Sequence, residues 1–434
     1  MGKWVVAFVV LFSPALASAS GLFLPARFAR NQAMGGTGIA VAGDITVLAE
    51  NPAGMVAVTS TSLFLNYHLY KLANSFQRYG YDGKQIDKDA FPPTENTAGF
   101  FNHIPNIFAG SNFGVKGLMV AGGVWSPIGP RHVYDPYGPQ RYSMVFNQIQ
   151  LLYTGVSAAY QIVPQLSLGG TFMFAHAMAE QHIGLMILPE ASSLDGLVIL
   201  KAMGLFKPMG IVGATLTPYK GLHIGMSYQT AVKMELEGTV EAEVPVITGR
   251  GKTYGKDDVV ASQKIPDVIQ FGVGWKAEKW AAEFTTKFYR WSQYKELNVD
   301  LATGKIGDFT LADFAIQKKN SDALSFHLGG SYLVHPMHEL RAGAYYDQSA
   351  IDPDYVSITE FDSDKIGLTG GYAFHWKGLT LAATVMHMLY QEVETTNSQL
   401  KPIQAFEIGD PPRIGDGVYL WKVTTLGGSV SYDF

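Results

Sequence analysis

Five aspartates, Asp347, Asp352, Asp354, Asp362 and Asp364, crowd one short stretch of the chain. Closely spaced carboxylates are what a calcium loop uses, but such a loop also needs a glycine at its sharp turn and a closing glutamate. Neither stands at the required spacing, so the stretch reads as a solvated acidic loop. Gly225-Met226-Ser227-Tyr228-Gln229 offers a serine where a nucleophile elbow would hold one, yet it lacks the final glycine and sits in an alternating run. Gly36-Thr37-Gly38 invites a phosphate-binding reading, which requires a strand ahead of the glycines, and none precedes them. His335 and His338 fall in a short turn and read as surface residues. With no cysteine in the chain, disulfides and thiolate metal sites are excluded. No catalytic, metal or cofactor site is expected, and the protein does not read as an enzyme.

The elements that could carry another kind of function are legible at both ends. Leu426, Gly428, Val430, Tyr432 and Phe434 share one face of a final strand, and Gly427, Ser429, Ser431 and Asp433 share the other. A greasy-and-polar last strand that stops on an aromatic residue is how outer-membrane barrels close. At the other end, Met1-Gly2-Lys3, an apolar run from Trp4 to Phe12 and Ala15-Leu16-Ala17-Ser18-Ala19 form a secretory signal peptide over 1–19, cut after Ala19. Beyond it no stretch approaches the ~20 apolar residues of a membrane helix. The 434 residues include 47 glycines and 22 tyrosines but only 16% charged residues, which suits strands that are apolar on alternate positions. A net charge of −5 without a basic run argues against nucleic acid as a partner.

Alternation defines a series of hairpins. Leu324, Phe326, Leu328 and Tyr332 alternate with Ser325, His327, Gly329 and Ser331, and the pattern resumes after the turn at His335-Pro336-Met337-His338. Similar hairpins turn at Val163-Pro164-Gln165, Pro218-Tyr219-Lys220-Gly221, Lys276-Ala277-Glu278-Lys279 and Trp376-Lys377-Gly378. The other connections are long, near 71–97, 127–147, 180–204, 237–262, 292–321, 348–364 and 391–420. Short turns on one side and long loops on the other are the signature of an outer-membrane barrel. Seven long loops imply about fourteen antiparallel strands in an all-β transmembrane barrel over 59–434, with Trp275, Trp280 and Trp376 in an aromatic girdle beside the short turns. Glu283, Lys287, Arg341, Asp347, His327, Gln229 and Gln270 fall on the faces that must point into the lumen, where charge is tolerated.

Residues 20–58 precede the first strand and are rich in Gly and Ala. They suit short helices packed inside the lumen as a hatch. With Asn51-Pro52-Ala53-Gly54 after that small-residue run, Trp291-Ser292-Gln293-Tyr294 leaving a strand, and Gly343-Ala344-Tyr345-Tyr346-Asp347-Gln348-Ser349, the chain resembles the FadL family of outer-membrane transporters for hydrophobic compounds. Gly370-Gly371-Tyr372-Ala373-Phe374, Met386-His387 and Tyr432-Asp433-Phe434 extend the likeness over the whole mature chain. The resemblance implies a fourteen-stranded barrel with an N-terminal hatch and a kinked third strand that opens the wall sideways. Ser126 and Gly129 match the kink. Independently, Pro127 and Pro130 cannot donate to a ladder and should leave a gap there.

The loop at 180–204 is apolar for a segment facing water, with Ile183, Leu185, Ile187, Leu197 and Ile199 among its residues, and Val244-Pro245-Val246-Ile247 lies in the next loop. Exposed apolar patches mark binding surfaces, and the resemblance makes this the groove that captures substrate. It also matches Lys318 to one of two basic residues that hold a carboxylate, while His182 or Ile183 stands where the other, an arginine, is expected. The expected function is passive uptake of long-chain fatty acids or aromatic hydrocarbons, with a porin conducting polar solutes through the lumen as the alternative. Expected partners are the hydrophobic substrate, outer-membrane lipid and the barrel-assembly machinery, engaged through Tyr432 and Phe434 of a monomer.

Overall fold

The computed structural model describes residues 26–81, 85–101, 105–187, 194–245, 252–306, 309–310, 314–403 and 412–434. The leader expected at 1–19, with residues 20–25 and most of Val244-Pro245-Val246-Ile247, lies outside the described side chains. Fourteen antiparallel strands close on themselves. They are β1 (Ser62–Arg78), β2 (Thr94–Glu95 and Asn106–Ser111), β3 (Leu118–Ile128 and Arg131–Val133), β4 (Phe146–Val163) and β5 (Leu166–Leu185). Next come β6 (Gly196–Tyr219), β7 (Leu222–Gln229 and Val232–Pro245), β8 (Lys252–Ile265 and Val268–Lys276) and β9 (Trp280–Tyr289 and Glu296–Leu301). The series ends with β10 (Phe314–Gln317 and Ala323–His335), β11 (His338–Asp347), β12 (Lys365–Trp376), β13 (Leu379–Tyr390 and Val393–Thr395) and β14 (Gly417–Asp433). Closure is made by β1 against β14, in register from Ser62↔Asp433 to Arg78↔Gly417.

The alternation read from the chain is inverted relative to a soluble sheet. Leu324, Leu328, Leu340, Leu368, Leu381 and Val430 are exposed, whereas Gln229, Gln270, Glu283, Lys287, His327, Arg341 and Asp347 are buried. Apolar side chains face lipid and polar ones face the lumen. Trp275, Trp280 and Trp376 lie half-exposed beside the short turns, as a girdle requires.

Two segments expected as loops are largely strand. β6 alone is 24 residues long, and β5 with β6 and β7 with β8 carry their ladders through most of 180–204 and 237–262. About ten residues suffice to cross a bilayer, so these strands project the wall well beyond it. Both faces of Leu197-Val198-Ile199-Leu200 are apolar, which hides a period of two from sequence reading.

Residues 26–58 lie within the barrel. A five-residue α-helix, α1 (Ala29–Ala33), is followed by two 3-10 helices, Ile45–Ala49 and Pro52–Ala57. Wall glycines let this hatch lie flush with the strands. A Cβ at Gly169, Gly213, Gly225, Gly329, Gly343 or Gly371 would come within 3.0 Å of hatch atoms, most of them backbone. Gly225→Val and Gly329→Val should therefore unseat the hatch while leaving the barrel folded. The measurement is protease cutting within 26–58 in protein that still migrates as a heat-modifiable barrel; cutting as slow as in the parent would contradict the close fit.

Candidate functional site

The hatch is fixed to the wall chiefly through its backbone, because a mostly irregular segment has few internal partners for its amides. Glu283, on β9, takes four of them. Its Oε1 accepts from Gly38 N (2.8 Å), Ile39 N (2.7 Å) and Ala40 N (3.1 Å), and its Oε2 accepts from Val41 N (2.7 Å). The amides from Gly38, the last residue of the run that could suggest phosphate binding, to Val41 are thus a nest for an anion, and the anion is the protein's own carboxylate. His327 Nδ1 donates to Gly35 O (2.6 Å) and Thr369 Oγ1 accepts from Gly35 N (2.9 Å).

Asn51-Pro52-Ala53-Gly54 forms the second anchor. Asn51 Oδ1 caps the following 3-10 helix by accepting from Ala53 N, while its Nδ2 donates to Ile39 O (2.7 Å) and Ala214 O (3.2 Å). Pro52 opens that helix, where a missing N–H costs nothing. Glu50 then pairs with Arg27 (2.9 Å) and with Lys287 of β9 (3.4 Å). Burial would raise the Glu50 carboxyl, but these two cations hold it below its ordinary 4.5.

Beside the hatch, the wall is incompletely laddered. Among the described residues, β3 pairs with β2 from Ser111↔Val120 to Ile107↔Val124, and the next backbone bond on that side is Thr97 N to Val133 O. Ser126 N donates instead to the Asn106 side chain (2.8 Å), and Ser126 Oγ donates to Leu151 O (2.7 Å). On the β4 side the register slips between Trp125 and Ile128; Ile128 pairs again with Leu151, Pro130 O accepts from Ile149 N, and Arg131–Val133 continue the ladder. Ser126, Pro127, Gly129 and Pro130 therefore occupy the break itself. A Cβ at Gly129 would meet one atom, Ile149 O, at 4.0 Å. Asn106, which stands in for the missing backbone partner, carries no sequence signal of that role. An aromatic run joins the hatch to this break: Phe28 packs on Phe108 (5.3 Å), Phe108 on Trp125 (5.6 Å) and Trp125 on Tyr153 (5.8 Å).

The projecting strands bury an aliphatic cluster of Leu185, Ile187, Val198, Val240, Ala242, Val259 and Val299. Of the capture residues expected from sequence, Leu185 and Ile187 belong to it. His182, Leu197 and Ile199 do not, since the register sets His182 opposite Ile199 and Gly184 opposite Leu197, on the face away from Val198. His182 there bonds Glu180 (2.8 Å), which also meets Lys201 (3.2 Å). Sequence reading missed Val198, Val240 and Val259 because they sit on three different strands.

Lys318 is buried, but its ammonium is paired with Glu360 at 2.5 Å, and Tyr294 Oη donates to the same carboxylate at 2.9 Å. The acidic stretch is likewise not simply solvated. Asp347 and Asp362 are buried around Lys365, and burial, with Asp347 adding to it, pushes the Asp362 carboxyl up to about 7. Asp352 caps a short 3-10 helix through Asp354 N. Ser227 lies buried in β7 within reach of Gln270.

Comparison with known proteins follows this geometry. Residues 10–410 match the family model described as outer membrane protein transport protein (OMPP1/FadL/TodX). A long-chain fatty acid transport protein of Escherichia coli strain CFT073 is 25% identical over 196 residues, 42% of each chain. The chain thus aligns with about two fifths of that relative's length. A Pseudomonas aeruginosa FadL homologue of known structure superposes with a TM-score of 0.78 at 17% identity, covering 96% of this chain and all of that one. The P. putida toluene transporter TodX gives 0.72 at 15% identity, covering 95% and 99%. At these identities the structures show the fold alone.

Two outcomes test the site. Glu283→Gln should loosen the hatch: losing charge-assisted bonds worth ~1.5–3 kcal/mol each raises the displaced population by one to two decades. Planar-bilayer conductance would report it, and an unchanged value would sink the clamp. For Glu50, a carboxyl held low in the folded state stabilises above its ordinary pKa and loses that contribution as acid titrates it. Conductance should accordingly stay flat from neutral pH down to about 4.5 and rise only below it, and Glu50→Gln should abolish that rise.

Proposed function

The chain belongs to the OMPP1/FadL/TodX family of outer membrane transport proteins, and from that premise we propose that it takes up hydrophobic molecules across the outer membrane by passive diffusion rather than catalysing a reaction. The observation that carries the reading is the unladdered stretch of β3 beside the hatch, in a barrel whose outer end is lined by aliphatic side chains. Capture needs no energy source, since burial of apolar surface is worth roughly 25 cal/mol per Å². A molecule taken up among these aliphatic side chains would descend to the Trp125 level and leave sideways between β2 and β3. The hatch, read as residues 20–58, closes the direct path below.

The substrate belongs to the class of long-chain fatty acids or aromatic hydrocarbons that named relatives carry. The Lys318–Glu360 pair favours an uncharged molecule or a headgroup held elsewhere, because a carboxylate at Lys318 would have to displace Glu360. We further take the protein to act as a monomer in outer-membrane lipid. The exposed rings of Tyr432 and Phe434 are the handle for barrel assembly.

Changing Pro127 to Thr and Pro130 to Val together should let β3 zip onto its neighbours and slow uptake of a radiolabelled hydrophobe into vesicles, with folding preserved. Unchanged uptake would count against the lateral route. Lys318→Ala should leave Glu360 buried without its partner and destabilise by about 3–5 kcal/mol, whereas the double change with Glu360→Ala should recover most of that loss. If instead Lys318→Ala weakens fatty-acid binding alone, with thermal stability and hydrocarbon uptake intact, the lysine is a headgroup contact.

A further inference from the structure

The hatch does not seal equally on all sides. Toward β3, β5 and β6 it is packed with apolar side chains, Ile45, Leu48 and Met55 against Met119, Met173 and Met209. Toward β13, β14 and β1 it faces Thr380, Ala382, Ser429, Ser431 and Ser62. Between hatch and wall on that side lies a cavity of about 230 Å³, bordered also by Arg30, Asp44, Glu339, Arg341 and His375. Arg30 of the hatch crosses it to Glu339 at 3.0 Å, and Arg341 holds the same carboxylate at 2.6 Å, leaving the buried Arg341 Nε without a partner.

The polar character continues upward between hatch and wall. Gln32 of α1, His68 of β1 and Thr425 of β14 are fully buried, and both amide atoms of Gln32, His68 Nε2 and Thr425 Oγ1 have no hydrogen-bond partner. The His68 tautomer follows from its neighbour. Asn66 Oδ1 accepts from Ala29 N, so Asn66 Nδ2 donates to His68 Nδ1 (3.1 Å), and the imidazole proton sits on Nε2 as an unused donor. A Cβ at Gly427 would collide with that imidazole, which places the ring directly over β14. Buried polar groups in a dry interface are normally paired. Here four orphans and a polar cavity occupy the same flank, beside the buried Met386 and Val423, while the β3 to β6 flank is closed by methionines and aliphatic side chains.

We propose that this flank is a hydrophilic seam between the lumen and the periplasmic face, carrying water and small hydrated ions past the hatch, with the Arg30–Glu339 pair lying across its mouth. The mixed charge fits hydrated solutes of either sign better than a bound anion, because Glu339 and Asp44 offset Arg30 and Arg341. Small side chains on β13 and β14 leave the room, and the orphaned donors and acceptors supply the partners that bulk water would. The seam is distinct from the sideways route for hydrophobic molecules, which lies farther round the wall, at β2 and β3 beyond β1.

The absence of cysteine makes a direct test possible. Ser429→Cys and Thr425→Cys place thiols in the seam, and Met173→Cys places one in the sealed flank. A charged, membrane-impermeant methanethiosulfonate is applied from the periplasmic side to the full-length barrel in a planar bilayer. Each variant is first checked for the heat-modifiable mobility of a folded barrel. Seam thiols should react at least tenfold faster than the one at position 173, and the reaction should at least halve the basal ion conductance. Arg30→Gln should raise that conductance severalfold. Uptake of a hydrophobic probe into vesicles should be untouched by the label. Equal reactivity at all three positions, or labelling without a fall in conductance, overturns the seam. A fall in hydrophobe uptake on labelling would instead show that the seam is the hydrophobic route and would likewise overturn the separation proposed here. Failure of every variant and of the parent to take up any hydrophobe would strike the proposed uptake function and leave the seam standing.

Discussion

A chain segment with little regular structure can sit inside a barrel only if the wall satisfies its amides. The carboxylate of Glu283 meets that demand at one point, accepting four successive hatch N–H groups from Gly38 to Val41. Buried alone, such a charge would be prohibitive; surrounded by oriented amides it becomes an anchor. Much else follows from this demand. The wall needs glycines wherever hatch backbone touches it, as at Gly225, Gly329 and Gly343. The lumen needs further polar groups at the same level, and His327, Thr369 and Lys287 supply them. The abundance of glycine in the chain is in good part the imprint of this fit.

With the hatch held on the β9 to β12 side, the barrel's other features acquire positions relative to it. Phe28 carries the hatch to Phe108 and Trp125, so the irregular part of β3 lies beside a plug that is well packed rather than loose. Two prolines remove donors on either side of Gly129, and the Asn106 side chain accepts from the Ser126 amide. The wall is thus interrupted without leaving that group bare, which is the condition for an interruption to survive within a membrane.

The chemistry changes along the lumen. At the outer end the projecting strands present Leu185, Val198, Val240 and Val259 with no charge among them. Farther in, ionised residues occur as closed sets, Lys318 with Glu360, Lys365 with Asp347 and Asp362, and Glu50 with Arg27 and Lys287. From the outer end inward, the lumen thus changes from aliphatic side chains to an interior whose charges are already compensated.

How much of this was legible beforehand divides along physical lines. Alternation with a period of two, the contrast of short turns with long loops, the tryptophans beside the turns and the aromatic terminus are local patterns, and they sufficed for a fourteen-stranded barrel with its polar face inward. The prolines in β3 were equally readable, because loss of a backbone donor is a property of the residue itself. Partnership between distant residues was not. Nothing local could reveal that Glu360 closes Lys318, that Asp362 folds back onto Lys365, or that Glu283 is the ligand of the Gly38–Val41 amides. Nor could composition assign Leu197 and Ile199 to the outer face and Val198 to the inner, since all are apolar. Only strand register, fixed by hydrogen bonding across the closed sheet, decides which side of the wall each one sees.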